Sequence, residues 1–204
     1  VYWTAFLLSA GLQTPKTIFV HGYLTVNGQK ISKSSSETVV DPVPLIEKYG
    51  ADAIRYFLLA KISPFDDGDF SEKKLIEVYN ADLANGLGNL VARVAKLAEK
   101  ANYELRITNY ELWGDVKKYL EEFRIDLAIG FLWEKIKGLN AQIDSAQPWK
   151  LADPELTKFL DAITHGILQL AYNLQPFLPE TAEKIQKQFS GKIKSGSLLF
   201  PRIE

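Results

Sequence analysis

Apolar residues follow a helical rhythm over most of the chain. The longest run places Leu75, Tyr79, Leu83, Leu87, Leu90, Val94, Leu97 and Ala101 three or four positions apart, which predicts one amphipathic helix over residues 71–101. Leu127, Phe131, Ile136 and Leu139 predict a second helix over 115–145. Leu156, Phe159, Leu160, Ile163, Ile167, Leu170, Ala171 and Leu174 predict a third, opened by Asp153-Pro154 and carried to Pro176. Leu178-Pro179-Glu180-Thr181 opens a shorter one reaching Phe189. Upstream, Asp41-Pro42-Val43-Pro44 breaks the chain before helices over 45–49 and 51–61, which Gly50 separates. Residues 1–10 are helix-compatible and end at Gly11 and Pro15.

One stretch departs from this rhythm. Thr17-Ile18-Phe19-Val20-His21-Gly22-Tyr23-Leu24 is β-branched and aromatic between turn residues, and predicts a buried strand. A helix feeding such a strand fits the closing unit of a doubly wound sheet, where ligands bind beyond the C-terminal strand ends. Val26-Asn27-Gly28-Gln29-Lys30-Ile31-Ser32-Lys33-Ser34 would hang there, and Asn27-Gly28 lets it reverse sharply. Lys30 and Lys33, among hydroxyls and beside a glycine, suit a clamp on a polyphosphate. Two lysines in a surface turn give the same pattern.

Several local features carry two readings. Asn85, Asn89 and Arg93, spaced by four, form a polar stripe that is either a solvated face or a binding face. Gly86 and Gly88 in the same helix cost about 1 kcal/mol each against alanine, so close packing or ligand approach should compensate. Asp52 and Arg55 lie three apart and can pair. Asp66-Asp67-Gly68-Asp69 lacks the terminal glutamate of a calcium loop and reads as a turn and helix start, with Asp69 as N-cap and Glu72 completing a capping box. His21 and His165 read as structural, and residues 191–204 as an extended tail bearing Lys192, Lys194 and Arg202.

Composition narrows the classes. With 204 residues and 47% hydrophobic content the chain can bury a sizeable core. Absence of cysteine excludes disulfides and thiolate zinc sites within it. A net charge of −1 argues against indiscriminate coating of nucleic acid, while allowing discriminating RNA contact through local patches. No apolar run reaches the roughly 20 residues that span a bilayer, so a cytoplasmic protein with neither membrane nor DNA as partner is expected.

Read in order, Phe19 to Ser34 resembles the signature loop of class I aminoacyl-tRNA synthetases in its methionyl form. Val39-Val40-Asp41-Pro42, Leu45 to Tyr56 and Asp67-Gly68-Asp69-Phe70-Ser71 continue the resemblance, and Tyr79 to Arg93 looks like the first helix of the methionyl anticodon-binding domain. The resemblance implies a mostly α chain: the end of a Rossmann-type α/β catalytic domain over 1–40, a connecting region over 41–70, an α-helical anticodon-binding bundle over 71–190, and a tail over 191–204. It implies activation of methionine by ATP with magnesium, followed by transfer to tRNA(Met). Lys33 matches the lysine that stabilises the adenylation transition state, and Lys30 its loop partner. Lys30, Ile31, Ser32, Lys33 and Ser34 together would form the ATP-binding loop. Asn89 and Arg93 match the positions that bond the anticodon bases, and Trp149, on Pro148-Trp149-Lys150, matches the tryptophan on which a base stacks.

Two departures stand out. Ile31 replaces the usual methionine, an apolar exchange that should preserve loop anchoring. Ser35-Ser36 replaces a residue followed by glycine, which alters the turn available to the closed loop. The abrupt apolar start is expected of a piece cut inside a catalytic domain, inactive in aminoacylation by itself. A non-catalytic tRNA-binding or assembly module and a sibling synthetase for leucine, isoleucine or valine are the alternatives. The intact lysine loop disfavours the first, and Asn89, Arg93 and Trp149 disfavour the second.

Overall fold

The computed structural model describes residues 1–31, 40–105 and 109–204, with Lys30 described for its backbone only. As the periodicity predicts, helices dominate. Helix α1 (Tyr2–Ser9) precedes strands β1 (Leu24–Val26) and β2 (Gln29–Lys30). Helices α2 (Pro42–Tyr49) and α3 (Ala51–Ala60) then lead to β3 (Gly68–Phe70). Helix α4 (Glu72–Val78) runs through a π-helical segment, Tyr79–Gly88, into α5 (Asn89–Lys100). Helices α6 (Gly114–Glu121), α7 (Ile125–Ala146), α8 (Glu155–Leu174) and α9 (Pro179–Gln188) follow.

The predicted strand over 17–24 does not form. Only Leu24–Val26 is strand, while Ile18, Val20 and Tyr23 are exposed. A strand needs a neighbour to take its backbone groups, and among the described residues no strand lies beside 17–21; Gly22 and Tyr23 meet the 64–68 segment through single backbone bonds, to the Pro64 carbonyl and from the Gly68 N–H, where the short strand is about to start. The sheet that does form is small and mixed, in the order β2-β1-β3. Strand β1 runs antiparallel to β2, with Thr25 opposite Lys30, and parallel to β3, with Thr25 opposite Asp69.

The long shaft from α4 to α5 is continuous, as predicted, but not uniformly α. Steps of four from Leu75 to Leu87 would rotate an α-helical stripe by about 40° each. The wider π turn keeps Leu75, Tyr79, Leu83 and Leu87 buried together with Leu90 and Val94. Gly88 suits this close approach, since a Cβ would press on the Leu83 carbonyl oxygen at 3.0 Å. The predicted helix over 115–145 is two helices. Phe123 takes φ +58° between them, and Arg124 grips Asp126 in the first turn of α7. Residues 191–204 are extended but not a free end: Ile193 and Phe200 are buried, and the Asn80 amide exchanges two hydrogen bonds with the Ile203 backbone.

Two capping expectations change. Helix α2 begins at Pro42 rather than after Pro44, because Asp41 accepts from the Val43 N–H and proline is tolerated in a first turn. Helix α4 is capped by Ser71, which accepts from the Lys74 N–H, leaving Asp69 inside β3. Asp52 and Arg55 do not pair with one another; both cross to the α8–α9 corner. Asp52, buried, accepts from the Thr181 N–H at 2.6 Å in the first turn of α9. Arg55 donates to the Phe177 and Pro176 carbonyls at 2.7 and 3.0 Å. Helix ends offer these otherwise unpaired backbone groups, a stronger call on the side chains than an exposed ion pair. Asp52→Ala should therefore lower stability by about 2 kcal/mol, read as the urea midpoint, because it orphans a buried N–H. Asp52→Asn, which keeps the acceptor, should cost less.

Candidate nucleic-acid interface and phosphate loop

The stripe on the shaft opens into a groove against α7. Asn85, Gly86, Asn89 and Arg93 from the shaft face Trp133, Lys137, Asn140 and Asp144 from α7 across a cavity of about 430 Å³. Core packing fixes both walls: Leu87, Leu90 and Val94 point inward on the shaft, as do Leu132, Ile136 and Ile143 on α7. Trp133 stacks on Tyr56 with ring centroids 4.2 Å apart, and the Tyr56 hydroxyl donates to Asp82, which also holds Lys61. That contact braces one end of the groove against α3.

The groove offers varied hydrogen-bonding chemistry. Asn140 donates to the Ile136 and Gly86 carbonyls, while its buried side-chain oxygen has no partner among the described residues. The Trp133 indole N–H is likewise buried and unpaired among the described residues. Arg93 pairs with Asp144 at 2.6 Å, and Asp144 is 65% exposed. Exposed pairs of this kind are worth at most about 1 kcal/mol, so the guanidinium can turn to a ligand at small cost. Amide and guanidinium groups beside a planar indole suit base edges and base faces better than a simple phosphate track.

Trp149 lies outside this groove's lining. It sits on the 3-10 turn Pro148–Lys150, just beyond α7, and is 54% exposed while its neighbour Pro148 is buried. Gln147 ends α7 in the left-handed region, which turns the chain there. Asn89 and Arg93 are thus brought together, with Trp149 five residues beyond Arg93's partner Asp144. The sequence reading missed Lys137, Asn140 and Asp144. Their spacing of three and then four along one face of that helix was the available signal.

At the other predicted site, Asn27 and Gly28 adopt φ +51° and +76°, a turn between β1 and β2. Lys30 lies on β2 with its backbone paired to Thr25, and Ile31 follows, 39% exposed. Ser32, Lys33 and Ser34, and the departure at Ser35-Ser36, lie outside the described residues. His21 is exposed and its ring nitrogen bonds the Gly22 carbonyl locally, in keeping with a structural role. Among the described residues no cluster of metal-ligating side chains occurs, and no helix is long and apolar enough to cross a membrane.

Comparison with known proteins bears directly on this arrangement. A model of the family "tRNA synthetases class I (M)" matches residues 1–95. The methionine–tRNA ligase of Nostoc sp. is 40% identical over 92% of this chain, and that of Clostridium acetobutylicum 36% identical over its whole length. These alignments cover 39% and 37% of the two relatives, so the chain spans well under half of their length. The Mycobacterium tuberculosis methionyl-tRNA synthetase bound by methionyl-adenylate superposes on 98% of the chain, covering 47% of its own, with a TM-score of 0.79 and 27% identity. Its free form gives 0.77 at 28% identity, over 100% of this chain and 47% of its own. The chain belongs to the methionyl family of class I tRNA synthetases.

Proposed function

We propose that this chain is part of a methionine–tRNA ligase, supplying the loop that holds the ATP phosphates and the helical surface that reads the CAU anticodon of tRNA(Met). The observation that carries the reading is the groove itself. Asn89 and Arg93, predicted as base readers, line one cavity walled by a second polar helix face, in a chain similar to methionine–tRNA ligases along its length.

In this reading the methionine carboxylate attacks the α-phosphate of magnesium-bound ATP, forming methionyl-adenylate and releasing pyrophosphate. The methionyl group then passes to the terminal adenosine of the tRNA. Negative charge grows on the phosphoryl oxygens and leaving pyrophosphate as the first step proceeds, and the Lys33 ammonium stabilises it there. Lys30 supports the loop beside the Asn27-Gly28 turn, Ile31 anchors it, and Ser32 and Ser34 shape it through their hydroxyls. Asn89 and Arg93 bond unstacked anticodon bases, and Trp149 provides an exposed face for stacking. Residues 1–40 then belong to the catalytic domain, 41–70 connect it to the bundle of 71–190, and 191–204 close over the shaft. Such an enzyme works in the cytoplasm with tRNA, ATP and methionine as partners; neither DNA nor a membrane is needed, nor zinc in this chain.

The test is amino-acid-dependent ATP–pyrophosphate exchange by the full-length ligase carrying this chain. Methionine should support exchange, whereas leucine, isoleucine and valine should not. Exchange driven by one of the latter would replace the methionyl reading with a sibling activity, and no exchange with any would favour a non-catalytic tRNA-binding module.

A further inference from the structure

The carboxylate of Asp69 makes contacts that neither a β-strand nor a helix start requires. One oxygen accepts from the Gly28 N–H at 2.6 Å and from the Thr25 hydroxyl at 2.8 Å; the other holds the Lys74 ammonium at 3.1 Å. Gly28 belongs to the turn that precedes Lys30, Thr25 pairs with Lys30 across the hairpin, and Lys74 stands in the first turns of α4. One side chain on β3 therefore ties the hairpin that feeds the lysine loop to the foot of the shaft that carries Asn89 and Arg93.

We propose that Asp69 is a positioning residue for the adenylation step: its carboxylate fixes the Asn27-Gly28 turn and thereby where the backbone of Lys30 and Ile31, which begins the lysine loop, is placed. This rests on the phosphate-clamping role proposed for that loop. The Asn27 side of the turn is held by its N–H, which donates to the Phe70 carbonyl at 3.1 Å; the Gly28 side rests on Asp69, since strand β2 is two residues long and, among the described residues, nothing lies within 4 Å of where a Gly28 Cβ would stand. A two-residue hairpin arm is marginal by itself, so an external acceptor on its turn decides where the following residues start. The acceptor is charged at neutral pH: the Gly28 N–H, then Thr25 and Lys74, hold the Asp69 carboxyl below its ordinary value. A small displacement of a charged group that acts only in the transition state lowers the rate more than substrate binding.

The experiment compares Asp69→Ala, Asp69→Asn, Lys74→Ala and Lys33→Ala in the full-length ligase by ATP–pyrophosphate exchange. Amide hydrogen exchange over residues 27–30 supplies a readout independent of activity. Asp69→Ala should lower kcat at least tenfold with the methionine KM within twofold, and should lose protection over 27–30 while the helices keep theirs. Asp69→Asn, whose amide oxygen still accepts from Gly28 and Thr25, should recover most of both. Lys74→Ala should change kcat less than twofold, because that contact is an exposed ion pair. Unchanged kcat in Asp69→Ala, a loss that Asp69→Asn fails to recover, or protection lost throughout the helices would overturn the assignment. If Lys33→Ala leaves exchange intact, the loop's phosphate role fails, while protection over 27–30 still decides whether Asp69 holds the turn.

Discussion

Replacing Lys33 with alanine in the full-length ligase should collapse adenylate formation while leaving tRNA binding within about twofold. A preorganised charge facing the transferring phosphoryl group is worth on the order of 3 kcal/mol, or about 150-fold in rate. Because that charge acts on the pyrophosphate leaving in the transition state, the loss should appear in kcat more than in the methionine KM. The groove proposed to read the anticodon lies on a different element, between the shaft and α7, so its affinity should not follow. Stopped-flow adenylate formation with a filter-binding control separates the two quantities. An unchanged rate would remove Lys33 from the chemistry.

The second large effect is expected at Trp149. Stacking of a base on an aromatic side chain contributes roughly 1–3 kcal/mol, so Trp149→Ala should weaken cognate tRNA binding about 5- to 150-fold. More than half of Trp149 is exposed, and the turn that carries it is anchored by buried Pro148. Little core area is lost on truncation, and the thermal midpoint and adenylation rate should both hold. Loss of adenylation together with tRNA binding would instead assign Trp149 a folding role. Trp133 is the useful contrast. It is buried and stacked on Tyr56, so truncating it should unfold the groove and lower stability as well.

The shaft and the helices behind it were legible because burial on one face repeats at helical spacing whatever the local winding. The π segment was not called, although three successive steps of four from Leu75 to Leu87 were its trace. Glycines at 86 and 88 were flagged as needing compensation. Gly88 has it in the close Leu83 carbonyl, whereas Gly86 lines the groove, with its carbonyl taken by Asn140. The break at Phe123 was illegible because no glycine or proline marks it; α6 closes there in a helix-end turn, with the Phe123 and Arg124 N–H groups donating to the Leu120 and Tyr119 carbonyls and Phe123 in the left-handed region. Asp52, Arg55 and Asp69 were misassigned for one shared reason. Local spacing suggested neighbours three residues away, while the structure satisfies backbone groups 41 to 129 positions distant. Sequence periodicity carries no information about such contacts.

For the candidate site, the polar stripe of Asn85, Asn89 and Arg93 was legible, but the opposing wall from α7 was not. A stripe on one helix says nothing about which other helix faces it. The 17–24 strand was misread because β-branched and aromatic residues favour a strand only where a neighbouring strand takes up their backbone.

The most direct test of the central claim is binding of this chain, at one fixed salt concentration, to two tRNA(Met) transcripts that differ only in the anticodon, one CAU and one altered. Fixed salt matters because phosphate contacts alone would bind both equally. A preference of tenfold or more for CAU, abolished by Asn89→Ala with Arg93→Ala, is the result predicted here. Equal affinity for the two transcripts, with the helices shown to be folded by circular dichroism, would contradict anticodon reading by the groove.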